Sequence, residues 1–214
     1  MKKISIKNSD YRGINKIDRE SYSVLEFYWS DFLENEKIEI FKETELLYKN
    51  SSIVSANTGI NRTYEKKYID TLSGIVAEFA VVKFFNEFLN YNYEAVRPLA
   101  ISSNNQIDIL LKYRSQTYKV EVRSSFVKNG LNFALFAIDK KTGKTYFDIL
   151  GTYKQSIYKK DFESIKDLFM RVFFDINTED HNKFYTDKKH FIDKYINRNE
   201  PFYIIGGMSG KKNN

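Results

Sequence analysis

The sequence predicts an α/β protein with a central mixed β-sheet that is flanked by helices. Three observations lead to this prediction. Amphipathic spacing indicates helices before residue 90, short alternating segments indicate about five strands between residues 93 and 150, and further helical spacing with one last strand follows. Because helical patterns precede and follow the strands, we expect helices on both sides of one sheet.

The length and composition favour one domain. The 214 residues include 42% hydrophobic and 29% charged residues, as in an ordinary globular chain. No repeat or linker divides the sequence. We expect a single domain over residues 1–214, with a helical N-terminal part at 19–62, a central part with the candidate site at 64–152, and helices with a last strand at 157–207.

Several kinds of site are excluded by residue type. The chain has no cysteine, which excludes disulfides and thiolate metal sites, and its two histidines are too few for a histidine-built zinc site. Its first residues lack the apolar stretch of a signal peptide, and no run of about 18 apolar residues could span a membrane. We therefore expect a cytoplasmic protein with no membrane partner. The net charge of +6 favours a polyanionic partner.

The elements before the sheet are predicted from apolar spacing. Four apolar residues at three- and four-residue intervals predict a helix over 20–33. A shorter helix is predicted over 38–48, and the longest over 64–89. Residues 1–18 are polar and basic, which indicates an arm or a short edge strand, and the composition of 49–62 indicates a loop.

The elements after residue 130 follow from the same patterns. Alternation predicts strands over 132–138 and 145–150, with turn-forming residues between them. Apolar spacing predicts helices over 159–174 and 188–198, and a final strand is predicted over 202–205.

The longest predicted helix contains one acid in an apolar setting. Residues 75–82 are apolar on every side except at Glu78, and a helix that is apolar all round is a buried helix. A buried carboxylate is costly unless it is paired, hydrogen-bonded or bound to a metal. Two interpretations stay open. Glu78 is a structural residue, held in an ion pair or placed at the helix edge where it reaches water, or it is a residue of a functional site.

Residues 106–125 are predicted to form a hairpin with a turn at 114–116. Strand side chains alternate between faces, so the face opposite Val120 and Val122 carries Lys119, Glu121 and Arg123. On the first strand, Asp108 lies opposite the apolar face. If the two strands pair, Asp108 and Glu121 meet on one face beside a cation.

Two acids on neighbouring strands suit a hard divalent cation. Mg²⁺, for which Mn²⁺ can substitute, is bound by a few carboxylates and keeps several waters. The backbone carbonyl of Val122 is a candidate third ligand. Such a metal polarises a phosphate and lowers the pKa of a bound water, and a neighbouring cation stabilises the phosphate charge. The alternative is that each acid is a surface residue paired with Lys112 or Lys119.

These residues together resemble the PD-(D/E)xK nuclease superfamily, which has the restriction-endonuclease-like fold. The stretch GIVAEFAVVKFF is similar to the family's helix, Ile107-Asp108 to its "PD", and Glu121-Val122-Arg123 to its "ExK". The resemblance spans roughly residues 70–140. It implies metal ligands at Asp108, Glu121 and Glu78, and catalytic roles for Glu78, Asp108, Glu121 and Arg123. The residues of this strand add the Val122 carbonyl as a candidate metal ligand and Lys119 as a candidate catalytic residue.

The resemblance also implies an activity and its partners. We expect a Mg²⁺-dependent endonuclease that hydrolyses double-stranded DNA, in type II restriction or phage defence, and that acts as a homodimer. The alternatives are a junction-resolving or repair nuclease of the same fold, and a nucleic-acid-binding module without catalysis. Candidate DNA contacts are the basic and amide residues Lys2, Lys3, Arg12, Arg62, Lys128, Asn129, Lys188, Lys189, Lys194, Lys211 and Lys212.

The sequence departs from the family pattern at two positions. Ile107 replaces a loosely kept Pro, which matters little. Arg123 replaces Lys, and a lysine can lose its proton when buried whereas an arginine effectively cannot. Arg123 would therefore bind the phosphate, or the change marks a weak or inactive nuclease. Lys119 is a candidate replacement, and Lys83, about 140° round the helix from Glu78, is a poorer one.

Overall fold

A computed structural model describes residues 1–7, 21–52, 61–89, 92–98, 107–128, 130–131, 136–138, 145–147, 166–176 and 181–209. Within these ranges the strands form one seven-stranded sheet and one two-stranded sheet. The larger sheet is mixed and is packed with helices. The predicted fold class, α/β with a central mixed sheet, is confirmed.

In its described residues, the first part of the chain forms two strands that are followed by two long helices. It contains β1 (Lys2–Lys7), β2 (Ser21–Phe27), α1 (Glu34–Asn50) and α2 (Tyr64–Lys83), and α2 continues into a π-helical turn. The Thr63 hydroxyl accepts the Lys66 N–H at 3.1 Å and caps the start of α2. Both helices occur where the sequence predicts them, and β1 is the predicted edge strand.

The remaining elements complete the sheet. They are β3 (Tyr93–Val96), β4 (Ile109–Tyr113), β5 (Gln116–Val127), β6 (Phe136–Ile138), β7 (Thr145–Phe147), β8 (Leu168–Asp175), α3 (His181–Phe184), α4 (Lys189–Phe191) and β9 (Phe202–Ser209). A π-helical segment extends α4 to Asn197, which confirms the predicted late helix. The predicted last strand is also confirmed, and it is longer than expected.

Strand order explains which elements meet at the site. The seven strands lie in the order β1-β2-β9-β8-β5-β4-β3. β5 pairs in parallel with β8 and in antiparallel with β4. β6 and β7 pair separately, and the turn predicted between them lies outside the described residues.

The helix predicted over 159–174 is wrong where the structure describes this segment, because Leu168–Asp175 forms β8. Residues 159–165 lie outside the described residues. Val172, Phe173 and Phe174 are consecutive and all buried, at 0%, 3% and 0% exposure. A strand that is buried on both faces has the same uninterrupted apolar run as a buried helix, so apolar spacing cannot separate the two.

The helix predicted over 20–33 is also wrong, because this segment forms β2 and a short 3₁₀ turn. Val24 packs in a different core cluster from Leu25 and Phe27, so β2 is buried on both faces. The apolar spacing that suggested a helix joined strand residues to Trp29 in the turn. In its described residues, the predicted helical N-terminal part therefore contains the strand β2 and the helix α1, and the C-terminal part includes a central strand.

Gly207 in β9 lies opposite Met170 in β8. A Cβ at Gly207 would overlap Met170 Sδ and come within 2.6 Å of the Phe169 carbonyl oxygen, which the backbone holds in place. We expect Gly207→Ala to lower the free energy of unfolding by about 1–3 kcal/mol, as measured by urea denaturation.

Gly74→Ala is the matched control for this prediction. A Cβ at Gly74, inside α2, would meet nothing within 4 Å. An alanine is also the better helix former, so this variant should unfold at the same or a higher urea concentration. Equal effects of the two substitutions would contradict the proposed overlap at Gly207.

Candidate functional site

The predicted hairpin is confirmed as β4 and β5. Ile109 lies opposite Val120 in an antiparallel register, and Tyr113 lies opposite Gln116. The turn between the strands places Arg114 at a φ of 55°. Ile109 and Val120 are fully buried in the main core, at 0% exposure each. The apolar side chains thus fix which residues of the hairpin face the core.

Asp108 and Glu121 come together at the start of β4. The antiparallel register pairs Ile109 with Val120, so the preceding residue Asp108 lies opposite Glu121. The Val122 N–H donates to Asp108 Oδ2 at 2.7 Å. Asp108 is 9% exposed and Glu121 is 6% exposed. The alternative of two surface acids is therefore wrong.

Glu78 lies in α2 and is buried, and its partner is a cation that the sequence analysis missed. Arg97 donates to Glu78 Oε2 from Nε at 2.9 Å and from Nη2 at 2.6 Å. The same Nη2 lies 2.8 Å from Glu43 Oε2, and the guanidinium stacks over the ring of Phe79. Of the interpretations left open for Glu78, the buried ion pair is the contact that is observed.

Glu121 is held by two cations, one within β5 and one just before β8. Arg123 Nη2 lies 2.7 Å from Glu121 Oε1, and Lys166 Nζ lies 3.3 Å from Glu121 Oε2. The Lys166 side chain is 3% exposed, whereas that of Arg123 is 33% exposed. Lys166 precedes β8, so no spacing within the hairpin could have indicated it.

The two lysines that the sequence offered as replacements lie elsewhere. The Lys119 backbone bonds to Asp167 through both its N–H and its carbonyl oxygen, each at 2.8 Å. Among the described residues, the Lys119 ammonium has no ion pair with an acid of the site. Lys83 pairs with Glu36 and Glu87.

The buried acids share one electrostatic environment. Burial raises the pKa of Asp108 well above its usual range, and the charges of Glu78 and Glu121 raise it further. The Val122 N–H and Lys166 act in the opposite direction. Burial also raises the pKa of Glu78, against the effect of Arg97, and Glu43 and Glu121 add to the rise. The ionised form of Asp108 is therefore disfavoured in this site, chiefly because the carboxyl group is buried.

The donor set suits a hard cation, with fewer ligands than predicted. Across the ranges that the structure describes, no three acidic or histidine side chains lie close enough to hold a metal. Mg²⁺ needs one or two carboxylates because it keeps several waters. Asp108, Glu121 and the Val122 carbonyl fit that requirement. Glu78 is held by Arg97 instead, so its predicted role as a ligand finds no support in this arrangement.

Comparisons of the chain with protein-family models, curated proteins and solved structures found no match. The resemblance to the nuclease superfamily therefore stays a prediction from the residues quoted above. Throughout the described part of the chain, no helix has the length and apolar character needed to cross a membrane.

Asp108→Asn is expected to raise the free energy of unfolding at pH 7 by on the order of 1 kcal/mol. Asn keeps an acceptor for the Val122 N–H and removes a buried charge. Because the folded-state pKa of Asp108 is raised, its contribution to wild-type stability is most favourable below the ordinary Asp pKa. That contribution falls as pH rises through the raised pKa.

Urea unfolding between pH 4 and pH 8 checks this prediction. The stability gap between Asp108→Asn and wild type should widen as the pH rises. Glu94→Gln is the control, since Glu94 is 61% exposed and pairs with exposed Lys112, and should give a small, constant difference. A gap that narrows with increasing pH would contradict the raised pKa.

Proposed function

We propose that the protein is a Mg²⁺-dependent endonuclease that hydrolyses phosphodiester bonds in double-stranded DNA, with restriction or phage defence as its task. The main support is the buried pair of opposed carboxylates, Asp108 and Glu121, at the end of a hairpin. A divalent cation bound to both carboxylates would offset the cost of ionising them in a buried site, and the resemblance to the nuclease superfamily rests on the same residues.

Each residue has a role in this proposal. Asp108, Glu121 and the Val122 carbonyl would hold the metal, which when bound supplies a polarised phosphate and an activated water. Arg123 is one-third exposed beside Glu121. It would bind a phosphate oxygen, because the planar guanidinium group can donate two parallel hydrogen bonds to a phosphate. Arg97, which also pairs with Glu43, holds Glu78 in place and so fixes the position of α2 beside Asp108.

The charge of the chain supports a polyanionic substrate. The net charge is +6, and several candidate DNA contacts are exposed: Lys2, Lys3, Lys128, Lys188 and Lys189. Others are paired within the protein, such as Arg62 with Asp70. Cleavage of both DNA strands needs two active sites, and we propose a homodimer for that reason.

A second candidate is a nucleic-acid-binding module of the same fold without catalysis. The observation in its favour is that Arg97 and Arg123 already neutralise Glu78 and Glu121. A site whose acids are held by arginines has less need of a metal. The two candidates therefore differ in whether a divalent cation binds.

Incubation of the protein with plasmid DNA in Mg²⁺, Mn²⁺ or EDTA tests the proposal. Cleavage with either metal and none in EDTA supports a nuclease, and a discrete fragment ladder supports restriction. Cleavage limited to branched or nicked duplexes would instead favour a junction-resolving or repair nuclease. If calorimetry detects no metal binding and plasmid stays intact, the non-catalytic module is favoured.

A further inference from the structure

Lys166 is a buried cation that reaches the candidate site from outside the hairpin. Its ammonium lies 3.3 Å from Glu121 Oε2, and its charge also acts on Asp108. The residue that follows it, Asp167, is fixed to the Lys119 backbone by two hydrogen bonds. The start of β8 is therefore anchored to β5, and the position of Lys166 beside both carboxylates is built into the sheet.

A cation in this position competes with a metal. Glu121 has a cation at each oxygen, Arg123 at Oε1 and Lys166 at Oε2. A divalent cation bound to Glu121 would repel both. Arg123 is one-third exposed and can turn towards solvent, whereas Lys166 is enclosed at 3% side-chain exposure. A bound metal would repel the enclosed Lys166 ammonium, and a substrate phosphate would offer it an anionic partner in the place of Glu121.

We propose that Lys166 is the counter-ion of Glu121 in the metal-free protein and binds the substrate phosphate once metal and DNA are present. This inference rests on the proposed function, since it requires a metal and a phosphate substrate at Asp108 and Glu121. It assigns phosphate binding to a buried lysine that lies just before β8, beside the hairpin that carries both carboxylates.

The test uses Lys166→Met and Lys166→Gln, with Lys83→Met as the matched control. Lys83 is likewise buried, at 6% exposure, and likewise paired with carboxylates, but with Glu36 and Glu87. Circular dichroism verifies folding, and Lys166→Gln serves if the Met variant does not fold. Mn²⁺ binding is measured without DNA, and binding of a short duplex is measured with and without Mn²⁺ over a range of salt.

Removing the Lys166 charge should move the two affinities in opposite directions. Without DNA, we expect Mn²⁺ to bind roughly tenfold more tightly, because one competing charge is gone. With Mn²⁺, the duplex should bind about tenfold more weakly, and the slope of log affinity against log salt should fall by about 0.9, as for one lost phosphate contact. Lys83→Met should leave all three quantities unchanged.

A purely structural lysine would weaken both affinities or neither, and either result overturns the inference. An unchanged salt slope overturns the phosphate contact. Absence of Mn²⁺ binding by wild type overturns the inference and the proposed function together. If the variants behave as expected but wild type cleaves no DNA, the proposed function fails while the role of Lys166 stands.

Discussion

Asp108→Asn and Glu121→Gln are each expected to abolish Mg²⁺-dependent DNA cleavage, with a rate loss of at least about a thousandfold. Each substitution removes a charged oxygen ligand while it keeps the side-chain shape. Metal-ion catalysis contributes several kcal/mol to the transition state, and each 1.4 kcal/mol or so corresponds to about tenfold in rate. Timed plasmid cleavage in Mg²⁺ measures the effect.

Glu94→Gln is the control for these two substitutions. Glu94 is an acid in β3, on the strand next to β4, but it is 61% exposed and pairs with Lys112. It should leave the cleavage rate unchanged. Because Asp108→Asn is also expected to stabilise the fold, its loss of cleavage cannot be attributed to unfolding. Persistent cleavage by both site variants would exclude this metal site.

Arg97→Met is expected to cause the largest loss of stability, about 3–5 kcal/mol. The substitution leaves Glu43 and Glu78 without their shared cation, while both keep most of their burial, at 20% and 11% side-chain exposure. It also removes the guanidinium from the ring of Phe79. Urea unfolding at neutral pH measures the loss.

Two further variants separate the buried charge from general packing. Arg198→Met removes a 64% exposed partner of Glu200 and should cost less than about 1 kcal/mol. Glu78→Gln added to Arg97→Met should recover part of the stability, because it removes one of the two stranded charges. Equal losses for Arg97→Met and Arg198→Met would show that the buried network contributes little.

Sequence reasoning succeeded where the interacting residues are close in the chain. β4 and β5 are joined by a two-residue turn, so the alternation of apolar residues was enough to set Asp108 opposite Glu121. The burial of Glu78 was also predictable, because it is the one acid in an otherwise apolar stretch of α2. These inferences need only the periodic spacing of apolar residues along the chain.

Pairings between distant segments were not predictable in this way. Arg97 follows an edge strand and precedes a proline, and nothing in its spacing links it to Glu78. Lys166 reaches Glu121 because β8 pairs in parallel with β5, a non-local contact that leaves no periodic signal. Because the segment that forms β8 was predicted as a helix, the sequence did not place Lys166 beside the strands of the site.

The parallel pairing of β5 and β8 also has a consequence for synthesis of the protein. The hairpin with Asp108 and Glu121 leaves the ribosome well before β8, which lies between β5 and β9 in the finished sheet. We expect a nascent chain at that stage to lack both a finished sheet and the Lys166 ammonium. Under the proposed function, an unfinished chain would lack the Lys166 contact to the phosphate, so DNA cleavage would begin only after β8 and β9 have joined the sheet.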